Sequence, residues 1–277
     1  MPAPYAKDPS LALQDDLKLA LELADLADSI SLARFGALDL RVETKPDLTP
    51  VSDADRAVEQ ALRSALATAR PHDEIVGEEY GTTSDVPDSR STRRWIIDPI
   101  DATKNFVRGV PVWATLIGML DVGDAVGGEA VVGVVSAPAL GHRWWAARGS
   151  GSWTSRAGAA PRRNQVSGVA KLADSSVSYS DLGDWGPRSA GFDELVGAAW
   201  RTRAYGDFWS HMLVAEGAVD ISLEPELSLW DVAALVPIVE EAGGRVTGVD
   251  GGPSPASPTV LCTNGLLHAE VLDLLRA

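Results

Sequence analysis

The sequence predicts an α/β protein whose first half is α+β and whose second half is α/β. Two amphipathic helices open the chain, apolar strands with glycine-rich turns fill the middle, and strand and helix patterns alternate from about Val177. Leu13, Leu17, Leu21, Ala24, Ala27 and Ile30 recur at helical spacing, and Gly36 supplies a stop. After the loop Lys45–Pro50, Ser52 and Asp55 read as a capping box. Val58, Leu62, Ala65, Leu66 and Ala69 then carry a second helix to the breaker Pro71. Arg94–Ile97 reads as a buried strand that stops at Asp98-Pro99. Val112–Leu120, Ala130–Ser136 and Arg143–Ala147 read as antiparallel strands, with turns at Gly123–Gly128 and around Gly141. Further strands are expected at Ser176–Ser180, Arg201–Tyr205, Val219–Leu223, Arg245–Val249 and Thr259–Thr263. Helices are expected at Phe208–Gly217, Asp231–Ala242 and Gly265–Leu275. Residues 1–10 read as a loose tail, 11–163 as an α+β subdomain and 164–277 as an α/β subdomain. The Gly/Ser/Arg/Pro-rich stretch Gly149–Arg163 is the expected seam between two parts of one unit.

Composition narrows the function. The 277 residues are 45% hydrophobic and 23% charged, an ordinary globular balance with enough length for a large core. The net charge of −15 repels phosphate backbones and anionic lipid, which argues against nucleic acid and membrane partners. The apolar run Val110–Leu120 is too short to span a bilayer, and the first ten residues have no signal-peptide core. The single Cys262 excludes an internal disulfide and a cysteine metal site, so a cytoplasmic location is expected. There is no Gly-Lys pair for a P-loop, no dinucleotide glycine fingerprint, no nucleophile elbow and no metal spacing among the four histidines.

What remains is a set of carboxylates at the ends of apolar strands. Gly77-Glu78-Glu79 follows Ile75-Val76, Asp98-Pro99-Ile100-Asp101 follows Trp95-Ile96-Ile97, and Trp230-Asp231 opens a helix. Magnesium takes oxygen ligands in near-octahedral array, and such strand ends supply them. Asp98, Asp101 and the Ile100 carbonyl can aim at one point. Singly, each acid has a plainer reading: Asp231 as an N-cap, Asp98 and Asp101 as a capped turn, Glu78-Glu79 as a solvated loop. Together with the helix start Ala102-Thr103-Lys104-Asn105, whose free N–H groups face the same place, they describe a cation-assisted phosphate site.

These segments, with Phe106, Trp230-Asp231-Val232-Ala233-Ala234 and Glu241-Ala242-Gly243-Gly244, resemble the inositol monophosphatase superfamily in order from about Leu17 to the C-terminus. Arg108–Ala114, Arg143–Ala146 and Arg203–Phe208 are similar to its histidinol-phosphate phosphatase branch. The resemblance implies a layered αβαβα sugar-phosphatase fold and a homodimeric phosphomonoesterase using two or three Mg²⁺ ions. By that similarity Glu78, Asp98 and the Ile100 carbonyl hold one cation, and Asp98, Asp101 and Asp231 a second. Glu78 and Thr103 prepare the attacking water, Asp55 supports Thr103, and Lys45 falls near a family lysine, one loop residue short. The superfamily carries glycine where this chain has Ala102. The substrate is expected to touch Asp101, Ala102, Thr103, Arg203, Asp207, Glu224 and Asp231. Histidinol phosphate has a cationic leaving group, which Asp207 and Glu224 suit, although Asp207 also reads as a cap for the helix from Phe208. The rival readings are another small-molecule phosphatase of the superfamily, such as one for inositol phosphate, and a non-catalytic phospho-ligand binding protein.

Overall fold

The computed structural model describes residues 9–83, 92–123, 128–183 and 185–276. Helices α1 (Pro9–Arg34) and α2 (Asp53–Ala69) open the chain, as their apolar spacing predicts. Of the tail expected at 1–10, residues 1–8 lie outside the described part, and Pro9 and Ser10 begin α1. Strands β1 (Val42–Thr44) and β2 (Pro50–Ser52) pair as a small hairpin around the expected loop. Three residues each are too few to show an alternating pattern.

Then come β3 (Glu74–Gly77), β4 (Gly81–Thr82), β5 (Arg93–Asp101), the short helix α3 (Thr103–Arg108), β6 (Ala114–Asp121), β7 (Glu129–Ala137), β8 (His142–Ala147), β9 (Ser152–Arg156) and β10 (Arg162–Arg163). The turn expected at 123–128 falls partly outside the described residues. These strands make one eight-stranded sheet, ordered β10-β9-β8-β7-β6-β5-β3-β4 and antiparallel except where β3 meets β5. The stretch Gly149–Arg163 is therefore not a bare seam. It adds β9 and β10 to one edge of that sheet.

The remaining elements are β11 (Ser176–Ser178), α4 (Ser189–Ala198), β12 (Arg201–Arg203), α5 (Asp207–Ala215), β13 (Ile221–Glu224), α6 (Leu229–Val232), α7 (Leu235–Glu241), β14 (Arg245–Thr247), β15 (Val260–Thr263) and α8 (His268–Arg276). They form a five-stranded mixed sheet ordered β12-β11-β13-β15-β14. The single helix expected over Asp231–Ala242 is two. Pro237, in the first turn of α7, has no N–H and its ring opposes the carbonyl four residues back, so the helix breaks at Ala233-Ala234. Helix α4 escaped prediction because Ser189, Gly191 and Gly197 blur its apolar pattern.

Five layers result. On one face of the large sheet, Leu17, Leu23, Val58 and Leu62 of α1 and α2 pack against Trp95, Ile97, Ile117 and Val132. On the other, Phe208, Met212, Leu235 and Ile238 of α5 and α7 lie between Leu116, Trp144 and the strand residues Val260 and Cys262 of the small sheet. Phe192 and Leu195 of α4 and Val271 and Leu275 of α8 cover the outer face of that sheet. The observed architecture is the layered αβαβα fold.

The middle layer sits unusually close. Gly118 and Gly133 face each other on β6 and β7, and a Cβ on Gly118 would lie 2.9 Å from the Ala233 carbonyl carbon. One on Gly133 would strike the Ala234 carbonyl oxygen and come within 2.9 Å of Pro237. Glycine inside a strand marks such a backbone approach. It lets the α6–α7 junction, and Asp231 just before it, drop onto the sheet. Gly133→Ala is expected to cost about 1–3 kcal/mol through overpacking, read as a lower urea midpoint. An unchanged midpoint would show that the junction has room to spare.

Candidate active site

The site begins at the N-terminus of α2. Ser52 caps it, and the Asp55 carboxylate accepts the Ser52 N–H at 2.9 Å and its hydroxyl at 2.5 Å, which is the capping box the sequence predicts. The other Asp55 oxygen lies 3.5 Å from Thr103 Oγ1, which also donates to the Ile100 carbonyl at 3.0 Å. Asp55 is wholly buried, and that burial pushes its carboxyl up to about 6.

Strand β5 supplies the centre. Its pairing with β6 runs Asp98↔Leu116 and then Asp101↔Ala114, three residues against two. In a regular strand, residues three apart point to opposite faces. The bulge inserts the extra residue and returns both carboxylates to one side. So β5 does not stop at Asp98-Pro99, as expected, but continues through an irregularity that the chemistry requires. Asp231 arrives from α6. Its helix is capped by Ser228, and Asp231 closes the box from the third position, accepting the Ser228 N–H at 2.7 Å. Asp231 is therefore not the N-cap. One of its oxygens is committed to the backbone. Asp98, Asp101 and Asp231 each bring a carboxylate oxygen within 4.8 Å of the others.

Glu78 follows β3, where its N–H donates to the Ile97 carbonyl at 3.2 Å. Lys45, from the turn between β1 and β2, reaches Glu78 Oε1 at 2.7 Å and Glu79 Oε1 at 2.6 Å. Burial works against its charge, yet these two carboxylates hold Lys45 above the usual lysine range. The cleft between the layers measures about 340 Å³ and is lined by Glu78, Asp98, Asp101, Asp181, Asp207 and Asp231 with Thr49, Pro50, Ile100, Ala102, Thr103, Lys104, Asn105 and Ser180. Of the expected residues, Glu78, Asp98, Ile100, Asp101, Ala102, Thr103, Asp207 and Asp231 come together there.

Two of the expected residues do not line the cleft. Arg203 is exposed on the edge strand β12, donates to the Thr202 carbonyl at 2.7 Å and does not line the cleft. Glu224 is buried behind the wall and accepts the Ser180 hydroxyl at 2.7 Å, so only Ser180 faces inward. Asp207 is not a cap: Gly206 holds that position, no side chain caps the helix, and Asp207 lines the cleft as the first residue of α5. Ser180, Asp181 and Glu59 were not among the expected site residues, and Lys104 was expected only as part of the helix start after Ala102. Only Glu59 left a signal, an acid on the apolar face of α2 beside Val58 and Leu62.

Charge decides what this site holds. Burial first, then the neighbouring carboxylates, raise Asp98 and Asp101 well above the aspartate range, and burial holds Asp231 up to about 6. Asp98 Oδ1 is buried without a hydrogen-bond partner. An acceptor left bare among like charges fits a hard divalent cation with oxygen ligands and fits little else.

The sequence matches the inositol monophosphatase family over residues 12–277. The chain belongs to the inositol monophosphatase family. It is 54% identical over 263 residues to a histidinol-phosphatase of Streptomyces coelicolor, covering 94% of this chain and 97% of that one. It is 56% identical over 266 residues to a histidinol-phosphatase of Mycobacterium tuberculosis, covering 95% and 98%. The solved IMPase of Thermotoga maritima superposes with a TM-score of 0.81 at 29% identity, covering 95% of this chain and 97% of that one. No helix among the described residues is long and apolar enough to cross a membrane.

Ala102 replaces the glycine expected of an inositol monophosphatase, and the backbone there is left-handed, with φ 64° and ψ 47°. That region costs an L-residue about 1–2 kcal/mol, while glycine's extra freedom when unfolded returns roughly 0.5–1 kcal/mol. Ala102→Gly is therefore expected to raise stability by about 0.5–1 kcal/mol in urea unfolding. A lower midpoint would mean that the alanine methyl packs better than the backbone suffers.

Glu224 gives a pH prediction. Burial, opposed by the Ser180 hydrogen bond and aided by the charge of Asp207, holds its carboxyl up to about 8, against 4.5 when free. The folded chain keeps this proton where the unfolded chain has lost it, so the associated stability is full below about 4.5 and is lost as pH rises through 8. In excess chelator, wild type is expected to lose more stability than Glu224→Gln between pH 5 and 8, by up to about 4 kcal/mol. Parallel curves for the two proteins would rule out the buried proton.

Proposed function

We propose that this chain is a magnesium-dependent phosphomonoesterase that hydrolyses histidinol phosphate to histidinol and phosphate, a step of histidine biosynthesis. One observation carries the reaction type: carboxylate oxygens of Asp98, Asp101 and Asp231 lie within 4.8 Å of one another, and the buried Asp98 Oδ1 has no hydrogen-bond partner. Near-complete alignment above 50% identity with two proteins named histidinol-phosphatase supports the substrate. A single buried thiol, Cys262, suits the cytoplasm, and the family resemblance favours a homodimer. Residues 11–163 and 164–277 act in this reading as two subdomains of one catalytic unit.

Glu78, Asp98 and the Ile100 carbonyl would hold one cation, and Asp98, Asp101 and Asp231 another. Bound there, Mg²⁺ supplies positive charge that neutralises the phosphate, acidifies water and stabilises the leaving alkoxide. The chain's own groups do the rest. Thr103 Oγ1, held between Asp55 and the Ile100 carbonyl, orients the attacking water, and a Glu78 carboxylate oxygen takes its proton. The start of α3 offers N–H groups with no intrahelical partner to the phosphate oxygens, beside Ala102 and Thr103. Asp207, with Asp181 near it, faces the leaving-group side and suits the ammonium and imidazole of histidinol. Burial lifts the Asp207 carboxyl, and the charge of Lys104 opposes that lift, so an arriving cation completes its ionisation.

Phosphate release from histidinol phosphate, measured with Mg²⁺ and with chelator, tests the reaction. No release at saturating Mg²⁺ would sink it. Asp207→Asn tests the substrate. A charge-assisted contact contributes about 1.5–3 kcal/mol, so kcat/KM for histidinol phosphate is expected to fall roughly ten- to a hundredfold. Glycerol phosphate, with an uncharged alcohol, should barely change. Equal losses on both would assign Asp207 to the scaffold.

A further inference from the structure

The second turn of α2 carries an acid on its apolar face. Glu59 is wholly buried there, in line with Val58, Leu62 and Leu66. A buried carboxylate is costly unless its charge and lone pairs are met. Arg63, one turn further, meets the charge, with Nε 2.7 Å from Glu59 Oε1. The backbone after β3 meets the lone pairs: the Glu79 N–H donates to Oε2 at 2.7 Å, and the Tyr80 N–H to Oε1 at 3.2 Å. The Arg63 Nη2 donates in turn to the Gly81 carbonyl. One ion pair thus grips three backbone groups of a single turn.

Two further features fit that grip. Gly77 makes room for it, since a Cβ there would collide with the Glu59 carboxylate. A carboxylate suits this place, because the two backbone N–H groups go to different oxygens and an amide would set its NH₂ group against one of them. Glu78 lies immediately before the gripped residues, with its carboxylate turned the other way, toward Lys45 and the cleft. It makes no bond to the ion pair. What the ion pair holds is the backbone on which Glu78 is mounted.

We propose that the Glu59–Arg63 ion pair is the positioning element for Glu78, holding the Glu78–Gly81 turn so that this carboxylate is aimed before any cation arrives. The inference rests on the reading of Glu78 as a cation ligand. α2 then serves both arms of the site, Thr103 through Asp55 and Glu78 through Glu59. Partners of this kind, one step behind a ligand, change cation affinity by about 10- to 100-fold when altered.

The test is calorimetric titration of Mg²⁺ alone into the metal-free full chain. Glu59→Gln is expected to weaken binding about 10- to 100-fold. In a Glu78→Ala background the same change is expected to shift affinity by less than about twofold, because the residue it acts through is gone. A general packing role would not show that dependence. Binding by Glu59→Gln within about twofold of wild type overturns the inference, and so does a full effect in the Glu78→Ala background. If Glu78→Ala itself binds Mg²⁺ like wild type, the ligand reading falls and this inference with it, which is a different result from the first two. Should Glu59→Gln lose its native near-ultraviolet circular dichroism, Arg63→Lys carries the test. It keeps the charge but cannot span both Glu59 and Gly81, so affinity is expected to fall about three- to tenfold, and a change under twofold overturns the inference.

Discussion

Repulsion among carboxylates is the constraint around which this protein is built. Two unit charges at 4.8 Å repel by roughly 3.5 kcal/mol at an effective dielectric near 20, and Asp98, Asp101 and Asp231 lie that close with Glu78 beside them. Such a cluster stays together only if each carboxylate is mounted on something that cannot yield. The mounts are mostly backbone. Asp231 is tied to the Ser228 N–H, Asp101 Oδ2 accepts the Phe208 N–H at 2.9 Å, and the bulge in β5 sets the spacing from Asp98 to Asp101. Lys45 pairs with Glu78 and Glu79 and its charge also acts on Asp231, but among the described residues no ion pair meets Asp98, Asp101 or Asp231. Burial and mutual repulsion favour protons on this cluster, and a divalent cation that displaces them relieves the repulsion.

That mounting explains the layering. A carboxylate from β5 and one from α6 meet only if the middle helical layer lies close on the large sheet, which Gly118 and Gly133 permit. The Phe208 N–H reaches Asp101 only because α5 starts at the same end of the sheet. The large apolar cluster uniting Leu116 and Trp144 with Phe208, Leu235 and Val260 locks the two sheets into that relation. A site divided between halves would loosen if they moved, and the shared core prevents it.

Most of the fold and the acidic cluster could be read from the sequence because both follow local rules. Helical spacing located α1 and α2, Ser52 and Asp55 announced their capping box, and acids at the ends of apolar strands marked Glu78, Asp98 and Asp101. What could not be read depends on distant partners. Nothing local says that Glu224 hides behind Ser180 or that Arg203 faces outward, since both sit in ordinary strand patterns and differ only in what packs on them. The break between α6 and α7 was readable in principle from Pro237, but the apolar run through it concealed the break. Asp231 escaped its plain reading as a cap because Ser228, three residues earlier, is the better one.

Strain is distributed to the same purpose. Among the described residues, Leu48, Ala102, Ala157 and Asp207 are the non-glycine residues with positive φ. Ala102 and Asp207 line the cleft, and Leu48 adjoins Thr49, which also lines it. A left-handed residue turns the chain sharply, so a helix can start with its first N–H groups facing a ligand and not the preceding strand. Ala102 does this for α3 where β5 ends, whereas at α5 the turn through Asp207 sends the first N–H groups to Ser180 Oγ and Asp101 Oδ2. Such conformations persist only where the surroundings over-determine them. Here the Phe35, Phe106 and Trp113 rings pack beneath α3, with centroids 4.9–5.5 Å apart, and the Ser180 hydroxyl takes the Asp207 N–H at 2.9 Å. The backbone is therefore held at the two points where phosphate and leaving group are proposed to lie, at one by aromatic rings beneath α3 and at the other by a wall residue of the cleft, Ser180.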